Sequence, residues 1–304
     1  MKENKIKILL DTDVGDDIDD ALAIGYAIAK GLDIAGITTV YRETDIRAAI
    51  AKKLAAFADN EIPVYGGYSV PLSKNVKIFG RTNYGTQDGV SKAEPEKAID
   101  FMADCAEKYG KDLCIVAIGV QTNLAAAWQK YPEKMKNAGL VVIMGGSFAY
   151  QRNEWNISED PTAARIVAES EMNLLYVPLD VTEKTGIGED NYEKILGYRG
   201  NGIAGCVSDT VREWKSRNLY QYVPILHDPT AIICAINDGL CTKKEISFCV
   251  IDEGAACGLT LNVSSMDLTI LPDFNKKRIT VVTEIDVKGI ITEFMQTLYG
   301  KEEK

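Results

Sequence analysis

Short apolar runs alternate with longer amphipathic stretches along nearly the whole chain, and this alternation limits the fold more than any other feature. Residues 6–10, 34–40, 62–65, 113–118, 140–144, 174–177 and 279–284 read as strands. Residues 21–30, 44–59, 95–109, 124–130, 161–170, 230–236 and 287–298 read as helices, and in 44–59 the helical spacing is carried by Ile46, Ile50, Leu54 and Phe57. Strands joined through helices argue an α/β fold with a mainly parallel central sheet flanked by helices. Residues 70–89 read as a loop region. The weakest stretch is 186–222, where Trp214, Tyr220 and Tyr222 are expected in a mobile helical segment. No linker, repeat or low-complexity tract divides the 304 residues, so a single domain over 1–304 is expected.

In such a fold ligands bind beyond the carboxyl ends of the strands. The polar segments that follow strands are 11–20, Glu43, 119–123, the stretch after Met144, and His227-Asp228, and all five are expected at one rim. Composition narrows what that rim holds. Acidic residues outnumber basic ones 44 to 34, a net charge of −10, which is a poor surface for a phosphate backbone, so no nucleic-acid partner is expected. No apolar stretch approaches the ~20 residues of a membrane-spanning helix, so no membrane partner is expected. Residues 2–5 (Lys-Glu-Asn-Lys) lead straight into the first strand without the apolar core of a signal peptide. Seven cysteines, odd in number and without a C-x-x-C pair, read as reduced, mostly buried thiols of a cytoplasmic protein. His227 is the only histidine.

The first strand runs into Asp11-Thr12-Asp13-Val14-Gly15-Asp16-Asp17-Ile18-Asp19-Asp20, where six of ten positions are aspartate and none is Lys or Arg. Crowded at a sheet edge, these carboxylates raise one another's pKa, and a hard divalent cation relieves the repulsion. An oxygen-only donor set favours Ca²⁺ or Mg²⁺ over zinc. A solvated turn with Asp19 or Asp20 capping the next helix uses one aspartate and leaves five unexplained. An EF-hand fails, because counting from Asp11 puts Gly15, Asp16 and Leu22 at its fifth, sixth and twelfth positions. Asp11-Thr12-Asp13-Val14 is similar to the D-x-D of haloacid-dehalogenase phosphatases, which gives a second enzyme reading: a Mg²⁺-dependent phosphatase with Asp11 as nucleophile.

With its context, however, the acidic segment resembles the inosine–uridine nucleoside hydrolase family, whose signature is D-x-D-P-G-x-D-D-A. Ala117-Ile118-Gly119-Val120-Gln121-Thr122-Asn123-Leu124 is similar to that family's A-x-G-P-L-T-N turn, and Val142-Ile143-Met144-Gly145-Gly146 to its V-x-M-G-G. Glu154-Trp155-Asn156-Ile157 with Asp160-Pro161 matches E-F-N-I…D-P, and His227-Asp228-Pro229 matches H-D-P. Together these segments cover nearly the whole chain. The sequence departs from the pattern at Val14 for proline, at two extra residues before the paired acids, and at Val40-Tyr41-Arg42-Glu43 where the family has V-A-G-N. The segment between Met144 and Glu154 is also shorter, without a counterpart for an asparagine used on the ribose 5′ side.

The resemblance implies a calcium-dependent ribonucleoside N-ribohydrolase on a Rossmann-like scaffold, assembled as a homodimer or homotetramer. It implies Ca²⁺ held by Asp13, Asp20, the backbone carbonyl of Thr122, and Asp228, with Asp13 also the base that activates water. Counting back from Ala21 pairs Asp19 with Asp20; counting from Asp13 reaches Asp17, so which of Asp17, Asp19 and Asp20 is a ligand stays open. Asp17, Asp19, Glu43, Glu154 and Asn156 are expected on the sugar, and His227 as proton donor to the leaving base. For Asp228 the competing role is an N-cap with Pro229 at the first helical position; for Asp160 capping is the expected role. Trp155 is expected as core filler, whereas Trp214, Tyr220 and Tyr222 either stack on the base or form an apolar lid. A non-catalytic ribose- or nucleoside-binding protein is the third reading.

Overall fold

A computed structural model of the chain describes residues 6–74, 76–78, 82–85, 92–217, 222–266 and 277–300. Tyr220, residues 2–5 and parts of the 70–89 loop lie outside the described residues. The strands are β1 (Lys7–Thr12), β2 (Asp33–Thr39), β3 (Val64–Gly66), β4 (Leu113–Ala117), β5 (Leu140–Met144), β6 (Leu174–Val177), β7 (Cys241–Ile246), β8 (Phe248–Val250), β9 (Thr260–Asn262) and β10 (Ile279–Ile285). Eight of them form one sheet in the order β3-β2-β1-β4-β5-β6-β10-β7. Every neighbouring pair is parallel except β10 with β7. β8 and β9 make a separate antiparallel hairpin.

Side-chain alternation explains why the central strands read as unbroken apolar runs. In β4, Cys114 and Val116 face one core, and Leu113, Ile115 and Ala117 face the other. The first core is closed by helices Asp19–Ala29, Thr44–Ala55, Gly202–Arg217, His227–Ile236 and Val287–Tyr299, the second by Pro95–Tyr109, Thr122–Lys130 and Pro161–Glu169. With both faces covered, alternation leaves no polar signature. Among the described residues no helix is long and apolar enough to cross a membrane.

Several expectations are corrected at element ends. The helix expected over 44–59 stops at Ala55, because the Phe57 and Ala58 amides tighten back onto the Leu54 and Ala55 carbonyls and turn Phe57 outward. The helix expected from Thr230 begins three residues earlier, at His227. Residues 186–222 contain the helices Glu189–Gly197 and Gly202–Arg217, and Trp214 is buried.

The strand order reverses between β1 and β4: β2 and β3 lie to one side, β5 and β6 to the other. Loops leaving neighbouring strands in opposite directions open a crevice at that point. The aspartate-rich segment leaves β1 there, and the Ile118 amide donates to the Asp11 carbonyl (2.8 Å) to keep the β4 loop alongside.

Candidate active site

Two helix N-termini meet above this crevice. Asp19 and Asp20 form the first turn of the helix Asp19–Ala29, and Asp228 is second in the helix His227–Ile236. Neither helix has a side-chain cap; the capping positions belong to Ile18 and Leu226, which corrects the capping role for Asp19, Asp20 and Asp228. The partial positive charge of a helix N-terminus favours carboxylates in its first turn. Oxygens of Asp19, Asp20 and Asp228 lie within 4.8 Å of one another, and all three residues are buried. Burial and mutual repulsion push all three well above the ordinary carboxylate range. Thr12 Oγ1 donates to Asp20 Oδ1 and fixes that carboxylate. Buried, oxygen-only and crowded, this donor set suits a hard divalent cation.

Asp13 leaves the end of β1 beside the cluster. Burial raises its carboxyl to about 6, opposed chiefly by Arg47. A side chain at Gly119 would meet Asp13 N at 2.7 Å and Oδ1 at 2.9 Å, so only glycine lets the β4 loop pass so close. Asp17 is held by Tyr222, whose hydroxyl donates to Oδ2 at 3.0 Å. The Tyr222 ring stacks edge-on against Trp214, 5.4 Å between centroids.

Asp13, Asp16, Asp17, Asp19, Asp20 and Asp228 line a cavity of about 320 Å³. Glu154, Trp155, Asn156, His227 and the apolar Ile118, Met144 and Leu179 complete its lining. Glu154 accepts from the Gly146, Asn156 and Ile157 amides (3.1, 2.9 and 3.0 Å), yet burial still raises it to about 7. Asn156 Nδ2 donates to the Ile118 and Met144 carbonyls, both at 3.1 Å, which commits its amide hydrogens. His227 Nδ1 pairs with Thr182 Oγ1 at 2.8 Å, and burial lowers the imidazole to about 4.

Other expected residues lie around this cavity rather than in its walls. Glu43 Oε2 accepts from the Thr82 amide (2.8 Å). Thr122 opens the helix Thr122–Lys130 and gives its hydroxyl to Asp160 (2.7 Å). Asp160 caps the helix Pro161–Glu169 through the Ala163 amide, as expected. Asp11 is fully buried beneath the cluster, with Oδ1 accepting from Thr38 Oγ1 (2.7 Å) and Asn123 Nδ2 (2.8 Å). Trp155 is not core filler: it is 52% exposed, because its helix is a single turn, Trp155–Ser158, that buries Asn156 and Ile157 instead.

Two arginines went unassigned in the sequence. The acidic stretch contains no cation, but Arg42 Nη1 and Arg47 Nη2 both reach Asp16 Oδ2, at 2.8 and 2.9 Å. Arg47 is fully buried and also donates to the Tyr41 and Val14 carbonyls. Its spacing in a helix that carries other charged residues gave no sign of this.

The family model described as inosine-uridine preferring nucleoside hydrolase matches residues 8–292. "Probable uridine nucleosidase 2" of Arabidopsis thaliana is 29% identical, with 96% of this chain and 97% of that protein covered. "Pyrimidine-specific ribonucleoside hydrolase RihA" of Shigella boydii serotype 4 (strain Sb227) is 30% identical, with 94% and 96% covered. Among solved structures, the "Purine-Preferring Ribonucleoside Hydrolase from Gardnerella vaginalis" superposes with a TM-score of 0.73 at 30% identity, covering 97% of this chain and 98% of that one. These names differ in the base and agree in the bond that is cut. The chain belongs to the inosine–uridine preferring nucleoside hydrolase family and is a hydrolase acting on N-glycosyl compounds.

Proposed function

We propose that this hydrolase cleaves the N-glycosidic bond of ribonucleosides to ribose and free base with calcium as its cation, Asp13 serving as the base. The observation that carries the reading is the convergence of two helix N-termini, bearing Asp19, Asp20 and Asp228, in a cavity that Glu154 and Asn156 also line.

Asp13, Asp20 and Asp228, with the Thr122 carbonyl, are the residues that would hold the cation. When bound, it supplies Lewis acidity and a fixed point for the ribose diol. Asp13 acts as general base: it leaves the end of β1 beside the aspartate cluster and lines the cavity, where its carboxylate can draw a proton from water. Asp19 and the Asn156 oxygen accept hydrogen bonds from sugar hydroxyls, and Glu154 orients the turn that carries Asn156 through three backbone amides. As the bond to the base breaks, the sugar gains oxocarbenium character, and the acidic wall favours that positive charge over the neutral ground state. His227, neutral at pH 7 and tied by Nδ1 to Thr182, offers the departing base a hydrogen bond from Nε2–H, and the proton that the base takes up comes from solvent. Seven free cysteines suit a reducing, cytoplasmic setting, and a homodimer or homotetramer is part of the same reading.

Purified protein is to be incubated with a panel of purine and pyrimidine ribonucleosides, after chelation and after added calcium or magnesium, and reducing sugar measured. Free ribose that disappears on chelation and returns with calcium is expected. Turnover indifferent to chelation would overturn the cation's part. Intact nucleosides throughout would overturn the whole reading.

A further inference from the structure

Tyr41 and Arg42 follow β2 with φ of 68° and 58°, a left-handed conformation that side chains other than Asn, Asp and His seldom adopt. Such strain persists only where the surroundings over-determine it, and here they do. The two amides donate to the Tyr68 and Ser69 carbonyls (2.7 and 2.8 Å), and the Tyr41 hydroxyl donates to Glu159. The Arg42 guanidinium lies 4.8 Å from the Tyr41 ring centroid and 5.5 Å from that of Trp155, while Nη1 holds Asp16. Arg42 thus joins two residues that line the cavity, Asp16 through Nη1 and Trp155 through its ring face.

We propose that Arg42 is a positioning residue that fixes the Trp155 indole at the cavity mouth, as a stacking surface for the nucleobase. The inference rests on the nucleoside hydrolase reading and names the part of the substrate that this rim selects. The guanidinium lies over both the Tyr41 ring and the indole, and the half-exposed indole, which lines the cavity, leaves area for a flat aromatic ligand. Asp16, itself clamped by the fully buried Arg47, keeps the guanidinium from following the indole outward. A side chain already held in its bound rotamer loses little freedom when ligand arrives, and that difference appears as affinity.

The test uses Arg42→Gly, Arg42→Lys and Trp155→Ala in the full chain with calcium present. Glycine adopts the left-handed backbone without strain, so Arg42→Gly is expected to fold. KM should rise roughly three- to tenfold with kcat held within about twofold, more for purine than for pyrimidine nucleosides. Arg42→Lys should recover part of the loss, and adding Arg42→Gly to Trp155→Ala should change KM no further. An unchanged KM, an unchanged KM with reduced kcat, or additive effects in the double variant would each overturn the inference while ordinary turnover leaves the hydrolase reading standing. If the unmodified protein releases ribose from no nucleoside, that reading fails instead. Fluorine NMR of 5-fluorotryptophan protein then decides Arg42 separately. Arg42→Gly should shift and narrow the Trp155 resonance alone, and an unmoved resonance overturns the positioning role.

Discussion

Removing the cation should make the protein's stability fall as pH rises, and returning it should cancel that fall. The carboxyl of Asp13 sits near 6 in the folded chain against an ordinary value of 3.8. As pH rises through 4, the unfolded chain gives up this proton first, so the folded state binds more protons and stability declines until pH passes about 6. Over that window Asp13 alone represents about 3 kcal/mol, and Asp19, Asp20 and Asp228, raised further, act in the same direction. A cation that prefers the ionised carboxylates removes this penalty. Near pH 4.5 chelated and calcium-loaded protein should therefore melt together. At pH 7.5 the loaded protein should melt at least about 6 °C higher, taking about 2 °C per kcal/mol for a domain of this size. Asp11 and Glu154, both raised to about 7, tilt the two curves alike, so the difference between them isolates the cluster. Scanning calorimetry from pH 4.5 to 8, with chelator and with excess calcium, reads that difference directly. A gap between the curves that stays flat or shrinks with pH would refute the reasoning.

Asp20→Asn should raise the melting temperature of chelated protein, erase the calcium-dependent gain, and lower turnover on the order of 10²–10³-fold, a divergence of stability and rate that calorimetry and ribose release read together. His227→Gln should lower kcat about 10²-fold for natural nucleosides, but far less for an aryl riboside whose leaving group needs no hydrogen bond to depart. Because the imidazole ionises only near 4, the kcat profile should show no histidine limb between pH 6 and 8. Asp160→Ala removes the acceptor for the Leu72, Ser73 and Ala163 amides and the Ser73 and Thr122 hydroxyls, and should cost about 3 kcal/mol in urea unfolding. Arg47→Met leaves the Val14 and Tyr41 carbonyls without this donor and Asp16 with one cation fewer, and should cost about 3–5 kcal/mol by the same measurement.

Most of the sheet was legible because its central strands are buried on both faces and read as unbroken apolar runs: β5 and β6 fall on 140–144 and 174–177 as expected. β7 was missed for the opposite reason. It is an edge strand, Cys-Thr-Lys-Lys-Glu-Ile, whose outward positions are charged, and polar edges are how sheets avoid pairing with other chains. The hairpin of β8 and β9 is built from three-residue strands, too short for alternation to register. Helix ends were misplaced where capping side chains were presumed, since Ile18 and Leu226 occupy those positions and leave the aspartates free to face the cavity.

The division between what was legible and what was not follows the chemistry of a nucleoside. Every ribonucleoside carries the same sugar, and the residues proposed for it and for the bond cut sit in motifs that match a shared pattern: Asp13, Glu154, Asn156, His227 and Asp228 could all be named in advance, and all line one cavity. Bases differ, and the residues argued to steady the Trp155 indole stand where the sequence leaves that pattern, at Tyr41 and Arg42 and in the two extra residues of the acidic loop. A longer acidic loop puts Asp16 over the helix Thr44–Ala55, where its carboxylate needs a counter-charge, and Arg47 answers from inside that helix. Arg42 then has a fixed anion to hold and can press against Trp155 from behind. An inserted acid, a buried cation and a strained backbone thus depend on one another across three separate segments. No periodicity or local motif encodes such a dependence, because each residue's role is defined only by the other two.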